Sequence, residues 1–198
     1  MRRAPTSASP AEYLAAERLS ETKHEYDRGL IVAMAGASRQ HNRVTSNLTR
    51  EIGIQLKGGP CEAYVSDMRV FVDATGLFTY PDIVIACGEP RFLDAELDTL
   101  LNPVALVEVL SPSTEAYDRG KKFAHYRRIP SLVAYVLVAQ DRPQVDRYTR
   151  RGDEWVLTGF EGLDAELALE FAGVPVRIPL REIYDRVQFP AAECEVAG

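Results

Sequence analysis

Three cysteines, three histidines and one tryptophan are few for 198 residues, and each scarcity excludes something. Cys61, Cys87 and Cys194 show no CxxC spacing. With only His24, His41 and His125 beside them, a structural zinc site is not expected. Their odd count and scatter point instead to reduced thiols in a cytoplasmic protein. No apolar run approaches the roughly 20 residues of a membrane span, and the leading MRRAPTSASPAEYL lacks the apolar centre of a secretory signal. Positive charge is also short: 23 Lys and Arg face 29 Asp and Glu, a formal net charge of −6. That argues against a generic polyanion binder and leaves room for a local basic site. There is no repeat and no low-complexity linker. The length fits a single domain, residues 1–198, with enough chain to bury a proper core.

What is present follows a readable order. Ser9-Pro10-Ala11-Glu12 is a capping box with proline at the first helical position, predicting a short helix to about Arg18. HEYDRGLIVAMAG reads as two strands around Arg28-Gly29. Val44, Leu48, Ile52 and Leu56 recur every four residues, predicting a helix over 38–57 that Gly58-Gly59-Pro60 ends. CEAYVSDMRVFVD predicts one or two strands, and the polar GEPRFLDAELDTLLNP a surface loop. Ser113 or Thr114 can cap a helix over about 115–129, closed by Pro130. LVAYVLV is a buried strand. VDRYTR and EWVLTGF form a meander, followed by weaker strands over 167–169 and 174–178 and a short helix over 180–187.

Two apolar runs carry one carboxylate each. TYPDIVIAC holds Asp82 at its entry, and NPVALVEVLSPST holds Glu108 among Val104, Leu106, Val107, Val109 and Leu110. Both read as buried strands, where a carboxylate is unfavourable unless compensated. Either Glu108 pairs with a buried arginine, or the two acids converge on a metal ion. A strand–helix–strand crossover from the Glu108 run to LVAYVLV would leave an oxygen-ligand site suited to Mg²⁺ or Mn²⁺.

These residues carry a resemblance. Pro81-Asp82 with Glu108 resembles the PD-(D/E)XK nuclease signature. SDMRVFV with YPDIVIACG, NPVALVEVLSPSTEAYDRGKKFAHYRRIPSLVAYVLV, and KHEYDRGLIVAMAGAS followed by His41-Asn42 resemble the Uma-type family of restriction-endonuclease-like proteins. The resemblance covers roughly residues 10–187. It implies an α/β restriction-endonuclease-like fold, a central mixed β-sheet flanked by helices, here with an added C-terminal β meander. It implies a metal-dependent endonuclease acting on DNA phosphodiesters. Asp82 and Glu108 would be its metal-binding acids, with the Leu110 main-chain carbonyl as a further ligand. The departure is at the signature's lysine position, which is Leu110. The resemblance implies that the lysine has migrated to the following helix, where Lys122 matches. On a regular helix Asp118, Lys122 and Tyr126 share one face. Lys121 and Lys122 can equally be read as ordinary solvated charges.

Other candidates have two readings each. Glu25 is an exposed strand residue or a site acid, His41 a capping residue or a site residue, and Asp67 a turn residue or a third acid. Arg119, Lys121, Lys122, His125, Arg127 and Arg128 form a dense basic segment. Arg119, Lys121 and Arg128 are the residues assigned to a DNA backbone. A homodimer is expected, since cutting two strands needs two sites and homodimers are the commonest oligomers. The alternative function is a nuclease-fold binding or assembly module without turnover.

Overall fold

The structure, a computed structural model, describes residues 8–189; Cys194 lies outside them. The chain begins with helix α1 (Pro10–Glu17). The Ser9 hydroxyl accepts from the Glu12 amide and the Glu12 carboxylate accepts from the Ser9 amide, the reciprocal cap the sequence encodes. The hairpin β1 (His24–Asp27) and β2 (Leu30–Ala33) follows, turning through Arg28 and Gly29 at positive φ. Helix α2 (Arg39–Leu56) buries Val44, Leu48, Ile52 and Leu56, as their spacing dictates.

The middle of the chain builds two sheets. β1 and β2 join β4 (Arg69–Val72), β5 (Leu77–Thr79) and β7 (Thr99–Leu100) in the order β2-β1-β5-β4-β7. The second sheet is β11-β10-β9-β8-β6-β3. It contains β3 (Cys61–Val65), β6 (Ile83–Cys87), β8 (Ala105–Leu110), β9 (Ala134–Ala139), β10 (Gln144–Arg151) and β11 (Glu154–Glu161). β8 and β9 run parallel and the other pairs antiparallel, so this central sheet is mixed. The meander β10–β11 extends the same sheet. A separate ribbon of β12 (Glu166–Phe171) and β13 (Val174–Pro179) precedes the short helix at Leu180–Ile183.

Packing on the central sheet explains its unbroken apolar runs. Val107, Val109, Val136 and Val138 face α2 and the β12–β13 ribbon. On the other face Leu106, Leu110, Tyr135 and Leu137 pack against Val70, Val72 and Leu77 of the first sheet and against Tyr126. Both faces are covered, so alternation disappears.

The stretch over 61–73 gives two strands, within the one or two expected, and they part: β3 joins the central sheet and β4 the other. Two expectations change. The segment after β6 is not all surface loop, because Thr99 and Leu100 are buried and pair parallel to β4. The two-residue strand is too short to leave a periodic signal. The thiol reading is overturned at Cys61 and Cys87, which form a disulfide. They lie directly opposite each other on β3 and β6 with Cα atoms 4.0 Å apart. Direct opposition on antiparallel strands is what brings the two side chains together, while a separation of 26 residues gives no such hint. The thiol argument for a reducing compartment therefore falls for these two cysteines. No helix among the described residues is long and apolar enough to cross a membrane.

Candidate active site

Asp82 directly precedes β6 and Glu108 lies near the end of β8. The two strands are antiparallel neighbours, with Ile83 paired to Val107, so both acids reach the same end of the sheet. Asp82 Oδ2 accepts from the Val109 amide at 2.7 Å. His41 Nε2, from the first turn of α2, stands 3.1 Å from the same oxygen. α2 is held at this end of the sheet by its cap residue, since the Ser38 hydroxyl donates to Gln140 just beyond β9 at 2.6 Å.

Glu108 is 4% exposed and is paired with no arginine among the described residues. Its Oε1 accepts from Lys122 Nζ at 3.0 Å and from the Tyr126 hydroxyl at 2.8 Å. Lys122 is equally buried, at 5% exposure. Its ammonium also meets Glu25 at 3.1 Å and Asp118 at 3.4 Å. The backbone that places it is not a regular helix. Helical residues Glu115–Tyr117 lead into a π-helical stretch, Asp118–Lys122, and then Phe123–Tyr126. Such stretches concentrate at functional sites. Asp118, Lys122 and Tyr126 still converge on one side.

Glu25 comes from the other sheet, on β1, and is not an exposed strand residue: its carboxylate is largely buried against Lys122 at 3.1 Å. The Thr79 hydroxyl donates to it at 2.6 Å and the Tyr117 hydroxyl at 3.3 Å. Sequence reasoning missed Thr79 and Tyr117, which only the meeting of the two sheets brings in. Asp67 does not reach the site. Its side chain is 89% exposed and pairs with Lys23 at 3.0 Å, in the turn where the chain passes between sheets.

The electrostatics follow from three carboxylates around one ammonium. Burial pushes Glu108 up to about 8; Lys122 opposes the rise, and Asp82 and Asp118 add to it. Burial likewise raises Asp118 against the pull of Lys122. Burial works against the Lys122 charge, but Glu108, Glu25 and Asp118 more than offset it and hold the ammonium well above its ordinary range. Tyr126 is pushed far up by burial and by Glu108, and so remains a donor.

The donor set fits a hard cation. Asp82 and Glu108 each use a single oxygen for their protein partners, and the other oxygen of each makes no hydrogen bond among the described residues. No three His, Cys, Asp or Glu side chains form a metal cage among those residues. Two carboxylates with an oxygen each left free are the kind of donor Mg²⁺ takes, and Mg²⁺ keeps several waters beside them.

The basic segment after the Glu108 strand is not a free track. Arg119 is clamped between Glu115 at 2.8 Å and Asp146 at 2.7 Å. Lys121 reaches Asp27 at 2.9 Å. His125 is buried, and burial lowers its pKa against the pull of Asp27, aided by Arg28 and Lys121. Arg128 is exposed, but it follows the helix toward the opposite end of the sheet from the acids. Arg150 donates to the carbonyls of Arg127, Ile129 and Pro130 there.

Comparisons with known proteins agree with this architecture. Residues 10–178 match the family model Uma2, described as "Putative restriction endonuclease". "Uncharacterized protein sll1609" of Synechocystis sp. is 38% identical over 162 residues, 81% of this chain and 92% of the relative. "Uncharacterized protein slr1290" of the same organism is 36% identical over 183 residues, 91% and 93% of the two chains. A crystal structure from Anabaena variabilis, described as a "putative nuclease belonging to DUF820", superposes with a TM-score of 0.71 at 19% identity. The match covers 89% of this chain and 97% of that one. At that identity the likeness speaks for the fold, a restriction-endonuclease-like one.

Proposed function

The chain belongs to the Uma2 family, and on that footing we propose that it is a metal-dependent endonuclease hydrolysing phosphodiester bonds of DNA. Asp82, Glu108 and the Leu110 main-chain carbonyl would hold Mg²⁺ or Mn²⁺, and Lys122 is the catalytic lysine. The observation that carries this reading is the buried contact of Lys122 with Glu108 at 3.0 Å, beside an Asp82 with an oxygen to spare. It supports the migrated lysine, because the ammonium comes from the following helix to the acid of the strand.

When bound, the metal supplies an activated water and a polarised phosphoryl oxygen. The chain's own groups do the rest. The Val109 amide and His41 orient Asp82, and Tyr126 orients Glu108. Glu25 and Asp118 keep Lys122 charged, and that charge offsets the negative charge growing on the phosphate. We propose a homodimer, since two strands need two sites, and a cytoplasmic location, where a DNA substrate would be met.

A second reading, a nuclease-fold binding or assembly module, is favoured by one observation: all three close partners of Lys122 are the chain's own carboxylates. Incubating the pure protein with supercoiled plasmid and Mg²⁺, beside Asp82→Ala, tests both. Nicking that needs Mg²⁺ and Asp82 is expected. No nicking by the parent in Mg²⁺ or Mn²⁺ would leave the module reading.

A further inference from the structure

Arg119 and Lys121 are clamped by carboxylates, and Arg128 lies toward the other end of the sheet, but further cations flank the helix turn that touches Asp82. Arg39 and Arg43 sit one turn apart on α2, flanking His41 in the chain. Neither makes an ion pair or donates a hydrogen bond among the described residues. Arg127 and Arg128 are unpaired in the same sense, whereas Arg18, Arg119, Lys121 and Lys122 are all paired.

A third arginine is brought beside them by a buried device. Asn47 continues the stripe one further turn along α2 and is 2% exposed. Its amide donates to the carbonyls of Ile183 at 2.9 Å and Asp185 at 3.0 Å. The chain then passes through Arg186 at positive φ. Arg186, Val187 and Gln188 line a shallow groove together with Arg39, Gln40 and Arg43. The only carboxylate near Arg186 among the described residues is Asp185, 3.8 Å away and half-exposed.

The groove lies at the catalytic end of the sheet. His41, between Arg39 and Arg43 in sequence, is 3.1 Å from Asp82. A helix with its side chains is about 10–12 Å across. The arginine stripe is thus about one helix width from the acids, roughly three 3.4 Å steps of a DNA strand. Arg127 and Arg128 differ in direction rather than in distance. They follow Tyr126, whose hydroxyl reaches Glu108, on the segment that leads to the start of β9, where Ala134 pairs with Ala105 at the opposite end of the sheet.

We propose that Arg39, Arg43 and Arg186 form the surface on which duplex DNA lies, each guanidinium taking a backbone phosphate. This rests on the nuclease reading for the identity of the partner. Planar guanidinium forks suit phosphate oxygens, and Gln40 and Gln188 add uncharged donors along the groove.

The test is fluorescence anisotropy of a labelled DNA duplex in Ca²⁺ across a range of salt concentrations, with the full chain. The triple variant Arg39→Ala/Arg43→Ala/Arg186→Ala should bind at least about tenfold more weakly at low salt. Its log K against log salt should flatten by about 2–3, given roughly 0.9 per phosphate contact. Arg127→Ala/Arg128→Ala should match the parent. The corresponding triple Arg→Lys variant should keep most of the salt slope, which separates lost charge from lost folding. A triple alanine variant with the parent's affinity and slope overturns the proposal, as does a loss carried by Arg127 and Arg128. Tighter binding of single-stranded RNA than of duplex, with the same slope, also overturns the assignment to duplex DNA. Mn²⁺ titration of the same samples keeps the two readings apart. Mn²⁺ binding without duplex binding removes this surface alone, and duplex binding through these arginines without Mn²⁺ binding removes the metal-dependent nuclease alone.

Discussion

Lys122 Nζ lies 3.0 Å from Glu108 Oε1, both side chains almost wholly buried. The lysine therefore has a structural consequence as well as a chemical one. Lys122→Ala should abolish nicking. It should also lower stability by about 3–5 kcal/mol, the range for breaking a buried pair by removing one partner. Three carboxylates would be left without their cation. Lys121→Ala, in contrast, removes an exposed contact with Asp27 and should change stability by about 1 kcal/mol or less. Urea unfolding of both variants separates them, and equal losses would refute the assignment of Lys122 as the buried partner.

The raised Glu108 makes stability depend on pH with a definite sign. Its folded pKa of about 8 exceeds the unfolded value of 4.5. Between those values the folded state holds more protons than the unfolded one, so stability falls as pH rises. The contribution is fully present below about 4.5 and lost by about 8. The raised Asp118 acts in the same direction, and the lowered His125 in the opposite one. Comparison with Glu108→Gln isolates the first effect. Metal-free parent protein should lose stability relative to the variant between pH 5 and pH 8. A constant difference across that range would remove Glu108 as its source.

His41 touches the Asp82 oxygen that also accepts from Val109. Groups behind a metal-binding carboxylate fix its orientation, and losing one typically lowers metal affinity by about 10–100-fold. His41→Ala should weaken Mn²⁺ binding by at least about tenfold in calorimetric titration, while Asp82→Ala should abolish it. Undiminished Mn²⁺ affinity in His41→Ala would make the histidine a packing residue only.

Asn47 satisfies two carbonyls with one buried amide. Asn47→Ala should lower stability by about 1–3 kcal/mol, because the carbonyls lose their donors. It should also release the turn before Arg186 and weaken duplex binding in the same sense as Arg186→Ala. Thermal unfolding and anisotropy on one sample check both, and a stability loss with unchanged duplex binding would uncouple the turn from the DNA surface.

Local physics was legible in the chain itself. The Ser9–Glu12 cap, the four-residue spacing of Val44 to Leu56, and the two apolar runs holding Asp82 and Glu108 each report a neighbourhood of a few residues, where propensity and periodicity act. The resemblance in the segment after Glu108 added Lys122, and the structure brings that lysine to the acid. Tertiary structure alone decided what depends on distant elements meeting. Glu25 enters the site because a second sheet packs over the first, and Asp67 leaves it because the chain changes sheets there. Cys61 meets Cys87 through strand register. The free charge of Arg119 and Lys121 in the basic segment dissolved for the same reason. A charge in sequence has no sign of its partner, and Glu115, Asp146 and Asp27 are supplied by the fold, whereas Arg39 and Arg43 keep their charge unpaired because no carboxylate among the described residues is folded against them.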